Sequence, residues 1–450
     1  MYREISNLLL FSDLAQDTIL MRLGAIFEDW ENHSATAPQL VHRIYHEVKR
    51  LLDLATTYGF DENLWHNYLA FLLISHEDSF SLTCELKGAT EGGSINRIAR
   101  ADYAIIKRLF DFDFAPIERD LGIDCFTLLC HYRAIPKKEQ MYNRAVSERV
   151  RALSRAVENA READEVFRLV TDTFRRHGVG LLGMNKAFRI SQEGDGIAFL
   201  PINNIDAVTL DSLIGYELQK KQLRDNVEAF VQGRGCNNML LYGDAGTGKS
   251  TSVKAILNEY SAQGLRMIEI YKHQFGLLSE VIRRVKHRHY RFIIFIDDLS
   301  FEESEVEYKF LKAVIEGGIE TKPDNVLICA TSNRRHLVQE TWRDRDDMEH
   351  NGDIHRSDTM QEKLSLAARF GCSISYSAPD RRLWQELVEG LAARHSEITL
   401  PREQLLLEAN RWELRHGGVS GRTAQQFVNY LSGLARRDSE SGKKEPYADA

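Results

Sequence analysis

Hydrophobic residues along the first 180 positions recur at the spacing of an α-helix. Three runs share a period of about 3.6 residues: Val41, Ile44, Tyr45, Val48, Leu51, Leu52 and Ala55; Val146, Val150, Leu153 and Val157; and Val166, Val170 and Phe174. Each run predicts a helix with one apolar face, and Gly178 is typical of a residue that ends the last one. Such a face either packs into a core or binds a partner, and we favour the core. Residues 1–180 are therefore predicted to form a mainly helical N-terminal domain.

The pattern changes between residues 181 and 209. Two short apolar runs, "AFRI" and "IAFL", flank the polar and glycine-containing residues 193–196, an arrangement that predicts a β-hairpin with its turn. Pro201 and the polar run "NNID" follow, before a new apolar pattern begins near Leu210. We interpret 181–209 as a hairpin and linker between two domains.

From residue 210 onward, short apolar runs alternate with helical patterns. The runs are "NMLLY", "MIEIY", "FIIFI", "VLICAT" and "SISYS". Alternating strands and helices predict a parallel sheet with crossover helices, so 210–378 is predicted to be an α/β core. Beyond Pro379, three helical segments near 380–394, 401–416 and 420–435 predict a small helical domain over 379–435. The polar tail, 436–450, has a composition typical of disorder.

Composition limits the classes of function. Of the 450 residues, 43% are hydrophobic, and the net charge is −8, so the chain as a whole has no electrostatic attraction to nucleic acid or anionic lipid. The six cysteines form no metal-ligand spacing, which is typical of free thiols in a reducing compartment. The longest apolar run, Tyr68 to Ile74, is shorter than the ~20 residues of a membrane span. We expect a cytoplasmic protein with no membrane span.

Residues 243–250 form a glycine-rich motif between an apolar run and a helical pattern. The sequence "GDAGTGKS" fits G-x-x-x-x-G-K-[ST], in which glycines let successive backbone N–H groups turn toward a phosphate. The helix that begins near Lys249 points the positive end of its dipole at the same place. Lys249 is predicted to reach the β- and γ-phosphates, and the Ser250 hydroxyl to bind Mg²⁺. The motif therefore predicts a site for a nucleoside triphosphate.

Polar residues follow two further apolar runs. "RFIIFIDDLS" ends its apolar run in Asp297 and Asp298, where a buried strand emerges beside the loop. Asp297 is predicted to hold Mg²⁺ through water, and Asp298 to orient or activate the attacking water. Asn333, at the end of "VLICATSN", is placed to hydrogen-bond the γ-phosphate or that water. The strand "MIEIY", between the loop and the acidic pair, is typical of hydrolytic P-loop proteins.

With these elements in order, residues 210–435 resemble an AAA+ ATPase module, an α/β domain followed by a helical lid. The resemblance implies a P-loop AAA+ fold preceded by a mainly α-helical N-terminal domain. It also implies that Asn333 is the sensor 1 residue, that Arg369 is an arginine finger acting on a neighbouring subunit, and that Arg422 is the sensor 2 residue. The residues expected to bind ATP are Ile214, Gly215 and Tyr216 beside the adenine, and Gly243, Asp244, Ala245, Gly246, Thr247, Gly248, Lys249, Ser250 and Thr251 around the phosphates.

Four stretches make the resemblance more specific. "LIGYELQKKQL", "NNMLLYGDAGTGKS", "IDDLSFE" and "TSNRRHL" look like signatures of the bacterial ATP-binding family known as domain of unknown function 815. Membership of this family implies an AAA-type ATPase and leaves the client open.

Two features depart from most AAA+ motors. Asp298 stands where most of them have glutamate, and the shorter side chain predicts a less well-placed water and slow hydrolysis, because a misplacement on the order of 1 Å can cost ~10²-fold. The segment "HQFGLL", 273–278, is the only candidate for a substrate-threading pore loop, and we interpret it as a plain turn. A protein-threading motor is correspondingly disfavoured.

We predict an oligomeric, Mg-dependent ATPase that couples ATP binding and hydrolysis to a conformational change acting on a protein client. The alternative is a slow or non-hydrolysing nucleotide-gated adaptor or loader that recruits a protein or nucleic-acid partner. The basic stretch 283–291, "RRVKHRHYR", either contacts nucleic-acid phosphates or is a solvated helix end, and we favour the helix end. The charged segment 341–358 is predicted to be a loop upstream of Arg369.

Overall fold

The computed structural model describes residues 1–89, 92–135, 143–194, 196–301, 307–316, 323–333 and 366–441. The charged segment 341–358 and residues 442–450 of the predicted tail lie outside these ranges. The chain divides into two compact units, one of residues 1–186 with 201–204, and the other of residues 187–200 with 205–450. In the described ranges, no helix combines the length and apolar character needed to cross a membrane.

The first unit is helical. Its helices are α1 (Tyr2–Ile5), α2 (Ile19–Glu31), α3 (Ala37–Tyr58), α4 (Leu64–Ser75), α5 (Ser79–Lys87), α6 (Ser94–Phe110), α7 (Ala115–Leu121), α8 (Cys125–Cys130), α9 (Arg144–Asn159), α10 (Ala163–His177) and α11 (Gly180–Met184). The predicted stripes on α9 and α10 are buried from Val146 to Phe174, and they belong to one hydrophobic core. The prediction that these faces form core is confirmed.

One residue of the α3 stripe is placed differently from the prediction. Tyr45 is 49% exposed, whereas Glu47 lies on the buried face and accepts a hydrogen bond of 2.7 Å from Arg50 Nη1. A buried carboxylate is tolerated when a charged donor pairs with it. The hydrophobic pattern therefore predicted the wrong residue at one position of the buried face, Tyr45 instead of Glu47.

The second unit contains a parallel sheet. Among the described residues its strands are β1 (Ala187–Glu193), β2 (Gly196–Pro201), β3 (Met239–Gly243), β4 (Leu265–Glu269), β5 (Arg291–Ile296), β6 (Val326–Ser332) and β7 (Cys372–Tyr376), in the order β2-β1-β4-β5-β6-β3-β7. The strands predicted from the apolar runs are confirmed. From β4 through β5, β6 and β3 to β7, each strand pairs in parallel with the next, so their carboxyl ends meet at one edge of the sheet.

The hairpin predicted within 181–209 forms, and it has a role that differs from a linker. Strand β1 pairs in parallel with β4, with Ala187 opposite Met267. Phe188 and Ile190 are buried, so the alternation of β1 fits a half-buried sheet strand. Both strands of the hairpin therefore extend the sheet.

Helices α12 (Glu217–Val231), α13 (Lys249–Tyr260), α14 (Leu278–Val285) and α15 (Tyr308–Glu316) connect the strands. The segment considered as a pore loop forms a short 3₁₀ helix, Lys272–Leu277. Phe275 in this segment is 1% exposed, so its ring packs inside the fold. The geometry agrees with the interpretation as a turn.

The lid consists of α16 (Arg381–Ala392), α17 (Arg402–Arg415) and α18 (Gly421–Ser441). Trp384, Leu405 and Phe427, one residue from each helix, belong to a common buried cluster. Helix α18 continues to Ser441, so the prediction of disorder from residue 436 is wrong for 436–441. The sequence there has neither proline nor glycine to end the helix, and the Arg436 guanidinium lies 2.9 Å from the Glu397 carboxylate.

Candidate nucleotide-binding site

The glycine-rich loop connects β3 to α13 and is shaped by its glycines. Gly243 has φ of 130°, and the following N–H, of Asp244, donates to the Tyr376 carbonyl at 2.9 Å. A Cβ atom at Gly243 would lie 2.1 Å from that carbonyl oxygen. Gly248, at φ 91°, precedes α13 directly. The loop can therefore follow this path only with glycine where it contacts β7.

Replacing Gly243 by alanine is expected to reduce the free energy of unfolding by more than the about 1–3 kcal/mol that positive φ alone costs. The Cβ would also collide with main-chain atoms of β7, which cannot rotate away as a side chain can. Chemical denaturation, followed by a spectroscopic signal from the second unit, measures the change in the free energy of unfolding.

Gly248→Ala is the matched control for this prediction. Gly248 also has positive φ, yet a Cβ atom added there would meet nothing within 4 Å, so only the dihedral cost applies. Equal losses for the two variants would show that the contact between the loop and β7 does not constrain the fold.

Lys249 is the central cation of the site. Its Nζ atom donates to the carbonyl oxygens of Gly243 at 2.9 Å and Asp244 at 2.6 Å, and to Asn333 Oδ1 at 3.1 Å. The residue is 6% exposed. Burial lowers the pKa of Lys249, while the carboxylates of Asp244, Asp298 and Asp297 act in the opposite direction. The ammonium group is thus held at the mouth of the loop by acceptors on the loop and by Asn333, which directly follows β6.

The two aspartates lie at the carboxyl end of β5. Asp297 Oδ1 accepts hydrogen bonds from Ser250 Oγ at 2.6 Å and from Thr331 Oγ1 at 2.5 Å. Asp298 has φ of 52°, a left-handed conformation that is uncommon outside glycine, asparagine and aspartate. Its Oδ1 accepts from Asn333 Nδ2 at 2.8 Å. The residues predicted to bind Mg²⁺ and to activate water are therefore brought together at one edge of the sheet.

Residues 214–216 contact the lid and the segment that precedes it. Ile214 packs against the lid cluster, and the Tyr216 hydroxyl donates to the Ser377 carbonyl at 2.8 Å. Burial, with a smaller effect of Asp244 and Tyr376, raises the pKa of Tyr216 to about 12. The hydroxyl therefore remains a donor at neutral pH.

The lid contacts the glycine-rich loop directly. The Arg422 N–H, at the start of α18, donates to the Gly246 carbonyl at 3.2 Å. From the end of α16, the Arg394 guanidinium donates to the Ser212 carbonyl. The Ala378 N–H, between β7 and the lid, donates to Asp244 Oδ2 at 2.6 Å. The glycine-rich loop is thus hydrogen-bonded to the lid at Arg422 and to the segment before the lid at Ala378.

A cleft of about 580 Å³ lies between these elements. The predicted residues that line it are Ile214, Tyr216, Gly246, Thr247, Gly248, Lys249, Ser250, Thr251, Asp297, Asp298, Asn333 and Arg422. Gly215, Gly243, Asp244, Ala245 and Arg369 are not among the lining residues of the described chain.

Sequence reasoning missed several residues of this cleft. The additional lining residues include Val208, Leu213, Lys220, Thr331, Leu387, Leu391 and Arg394. Leu387 and Leu391 lie four residues apart on α16, so the helical period of the lid was the one signal that pointed to them. Lys220 is buried and donates to the Leu213 carbonyl at 2.8 Å, a contact that no local pattern indicates.

The basic stretch 283–291 makes contacts inside the second unit. Arg283 and Arg284 both donate to the Glu280 carboxylate on the same helix, and Arg291 donates to the Asp324 carbonyl at 2.8 Å. These contacts agree with the interpretation as a helix end, because part of the positive charge is paired within the fold.

Comparison with known proteins gives similarities of two kinds. Three solved structures of RuvB variants from Thermotoga maritima match with TM-scores of 0.36–0.37 at 17–18% identity, covering 51% of this chain. The match spans 66% of the first RuvB chain. No curated protein sequence matches. The sequence profile described as "Protein of unknown function (DUF815)" matches residues 183–435, more than half of the chain. The chain therefore belongs to the DUF815 family.

Proposed function

We propose that the protein is an ATPase that binds Mg-ATP in the cleft between the α/β core and the lid. One observation carries the proposal: Lys249, Ser250, Asp297, Asp298 and Asn333 converge at the carboxyl edge of the sheet, beside a glycine-rich loop that opens a helix. A cation, a hydroxyl, two carboxylates and an amide are the groups that phosphoryl transfer to water requires.

The cleft fits a nucleotide in size and chemistry. Its volume is in the range of about 300–1,000 Å³ typical of small-molecule sites. Its lining includes the apolar side chains of Val208, Ile214, Leu387 and Leu391, which suit an apolar base. It also includes the glycine-rich loop and the N-terminus of α13, which suit phosphates. ATP in this cleft would therefore place its base against the lid and its phosphates against the sheet.

The donor set also fits Mg²⁺. Ser250 Oγ and Asp297 Oδ1 lie 2.6 Å apart, and Mg²⁺ prefers oxygen ligands of this kind, completed by phosphate and water. The ion would supply charge neutralisation at the phosphate oxygens. Ser250 and Asp297 are the residues that would hold it.

The remaining polar residues have distinct proposed roles. Asp298 orients the attacking water and accepts its proton. Asn333 orients the γ-phosphate or the water, and Arg422 reports the nucleotide to the lid, since its N–H already contacts the loop at Gly246. Arg369, which does not line the cleft of its own chain, completes the site of a neighbouring subunit in a homo-oligomer.

Coupling to a client would pass through the lid. Asp244, in the phosphate loop, and Tyr216, beside the proposed base site, hydrogen-bond the consecutive residues Ala378 and Ser377. These two residues connect β7 to α16. A nucleotide that shifts either contact therefore moves the lid, and the client is proposed to respond to that movement.

The second candidate function is a nucleotide-gated adaptor that binds ATP and cleaves it slowly. The observation that favours it is a pair of hydrogen bonds made by the Asn333 side chain. Its amide nitrogen donates to Asp298 Oδ1, and its Oδ1 accepts from Lys249 Nζ. Asn333 thus contacts both Lys249, which would bind the γ-phosphate, and Asp298, which would orient the water. The short aspartate also has limited reach toward that water. Both functions require ATP to bind in the cleft.

The purified protein is expected to bind ATP in the presence of Mg²⁺ and to release phosphate at a rate per subunit that rises with protein concentration. Arg369→Ala should keep ATP binding and lose the concentration-dependent part of turnover, because the arginine acts on a neighbouring subunit. Calorimetry measures binding, and a phosphate-release assay over a concentration series measures turnover.

Arg144→Ala is the control, since Arg144 is an exposed residue of α9 that pairs with Glu148. Turnover that is independent of concentration and unaffected by Arg369→Ala would contradict the oligomeric site. Tight ATP binding with negligible turnover would favour the adaptor, and absence of ATP binding would contradict both functions.

A further inference from the structure

Thr331 lies at the carboxyl end of β6 and contacts both aspartates of the cleft. It is 2% exposed, and its Oγ1 atom lies 2.5 Å from Asp297 Oδ1 and 3.0 Å from the Asp298 nitrogen. No motif in the sequence marks this residue, because threonine is an ordinary strand former. Its contacts nevertheless reach the carboxylate of Asp297 and the main chain of Asp298, the two residues on which the proposed chemistry depends.

The direction of these hydrogen bonds follows from their chemistry. The Asp298 N–H can only donate, so Thr331 Oγ1 accepts from it. The single hydroxyl proton of Thr331 is then available for the carboxylate oxygen Oδ1 of Asp297, which accepts it. One hydroxyl group therefore fixes the side chain of Asp297 and the main chain of Asp298 at the same time.

A third contact completes the attachment. The Leu299 N–H donates to the Thr331 carbonyl at 2.7 Å, so residues 297–299 are bound to Thr331 at three successive positions. Asp298, in the middle, has φ of 52°. A left-handed conformation at a residue other than glycine persists when surrounding contacts determine it. Thr331 supplies one such contact on each side of Asp298, to the Asp297 side chain and to the Leu299 N–H.

We propose that Thr331 is a positioning residue that, through its hydroxyl group, orients Asp297 toward Mg²⁺ and holds Asp298 in its left-handed conformation. The inference rests on the proposed Mg-ATP site and adds a residue to it. Thr331 acts on the metal through Asp297, as hydrogen-bonding partners of metal ligands do.

Two substitutions separate the hydroxyl from the shape of the side chain. Thr331→Val keeps the branched shape and removes the hydroxyl, whereas Thr331→Ser keeps the hydroxyl and removes a methyl group. Thr331→Val is expected to raise the Mg²⁺ concentration for half-maximal ATP binding by about 10–100-fold, the usual effect of removing a partner of a metal ligand. Thr331→Ser should remain close to the wild type.

The experiment measures the affinity for ATP by calorimetry over a series of Mg²⁺ concentrations and again in EDTA. In EDTA the two variants and the wild type should bind ATP equally, since the loop and Lys249 are unchanged. Binding of Mn²⁺ to the ATP-loaded protein, followed by electron paramagnetic resonance, gives a second readout that does not depend on hydrolysis. If Thr331→Val fails to fold, Thr331→Ala removes the same hydroxyl without adding a buried methyl group in its place.

The outcomes distinguish this inference from the proposed function. An unchanged Mg²⁺ requirement in Thr331→Val or Thr331→Ala, with normal ATP binding in the wild type, would overturn the role of Thr331 alone. Equal loss of affinity in EDTA would overturn it as well, since the effect would then lie in the loop. Failure of the wild type to bind ATP would instead reject the proposed function.

Discussion

Lys249→Ala is expected to weaken ATP binding by about a hundredfold, because removing one partner of a buried, charged hydrogen-bonding pair costs about 2–5 kcal/mol. Lys249 Nζ is the cation at the mouth of the loop, and its acceptors are all uncharged groups. A phosphate would replace some of these acceptors with a negatively charged oxygen, and charge-assisted hydrogen bonds are the stronger kind. Calorimetric titration with ATP and Mg²⁺ measures the loss.

The control for this prediction is Lys254→Ala on the same helix. Lys254 is more exposed, at 43% of its side chain, and its ammonium lies 3.4 Å from Asp206, outside the cleft lining. This variant should bind ATP as the wild type does, and thermal unfolding of both variants checks that they fold. Wild-type affinity in a folded Lys249→Ala protein would contradict the assignment of the loop as a phosphate site.

The positions of the loop and the acidic pair were predictable because both depend on local sequence. The glycine-rich motif predicts a loop followed by a helix. The apolar run before Asp297 and Asp298 predicts a buried strand, with both aspartates at its carboxyl end. Parallel pairing of β3, β5 and β6 then brings these ends to one edge. The convergence of Ser250 with Asp297 followed from these facts alone.

Other features depend on contacts between distant parts of the chain, and the sequence pattern did not contain them. The pairing of β1 with β4 joins residues about eighty positions apart, so the hairpin looked like a linker. The contacts of Lys220 and Arg394 with main-chain carbonyls depend on where the backbone of residues 212–213 lies. Thr331 is the clearest case, because its proposed role comes from two residues that follow the neighbouring strand, β5.

The contact of Asp244 with the segment that connects β7 to the lid shows how one residue can have a local and a distant role. Its carbonyl accepts from Thr247 and Lys249 within the loop, as expected for a residue of the motif. Its carboxylate accepts from the Ala378 N–H, more than a hundred residues away. The motif predicted the first role and gave no sign of the second, which carries the proposed coupling between nucleotide and lid.

Asp298→Asn is expected to reduce the rate of ATP hydrolysis by about 10²–10⁴-fold, the usual contribution of a general base, with little change in ATP affinity. Asparagine tolerates the left-handed conformation of residue 298, and its Oδ1 atom can still accept from Asn333 Nδ2. The substitution therefore removes the negative charge and keeps the geometry. Phosphate release measures turnover, and calorimetry measures affinity.

Asp297→Asn is the matched variant on the adjacent residue. It should raise the Mg²⁺ requirement for ATP binding, because Asp297 is the carboxylate that lies 2.6 Å from Ser250 Oγ, whereas Asp298→Asn should leave that requirement unchanged. The two carboxylates would then have separable roles, one toward the metal and one toward water. Undiminished turnover in Asp298→Asn would remove Asp298 from the reaction. Tight ATP binding with wild-type turnover as slow as that of Asp298→Asn would instead favour the adaptor function. The carboxylate of Asp298 would then add nothing to the rate of hydrolysis beyond what the amide of asparagine provides.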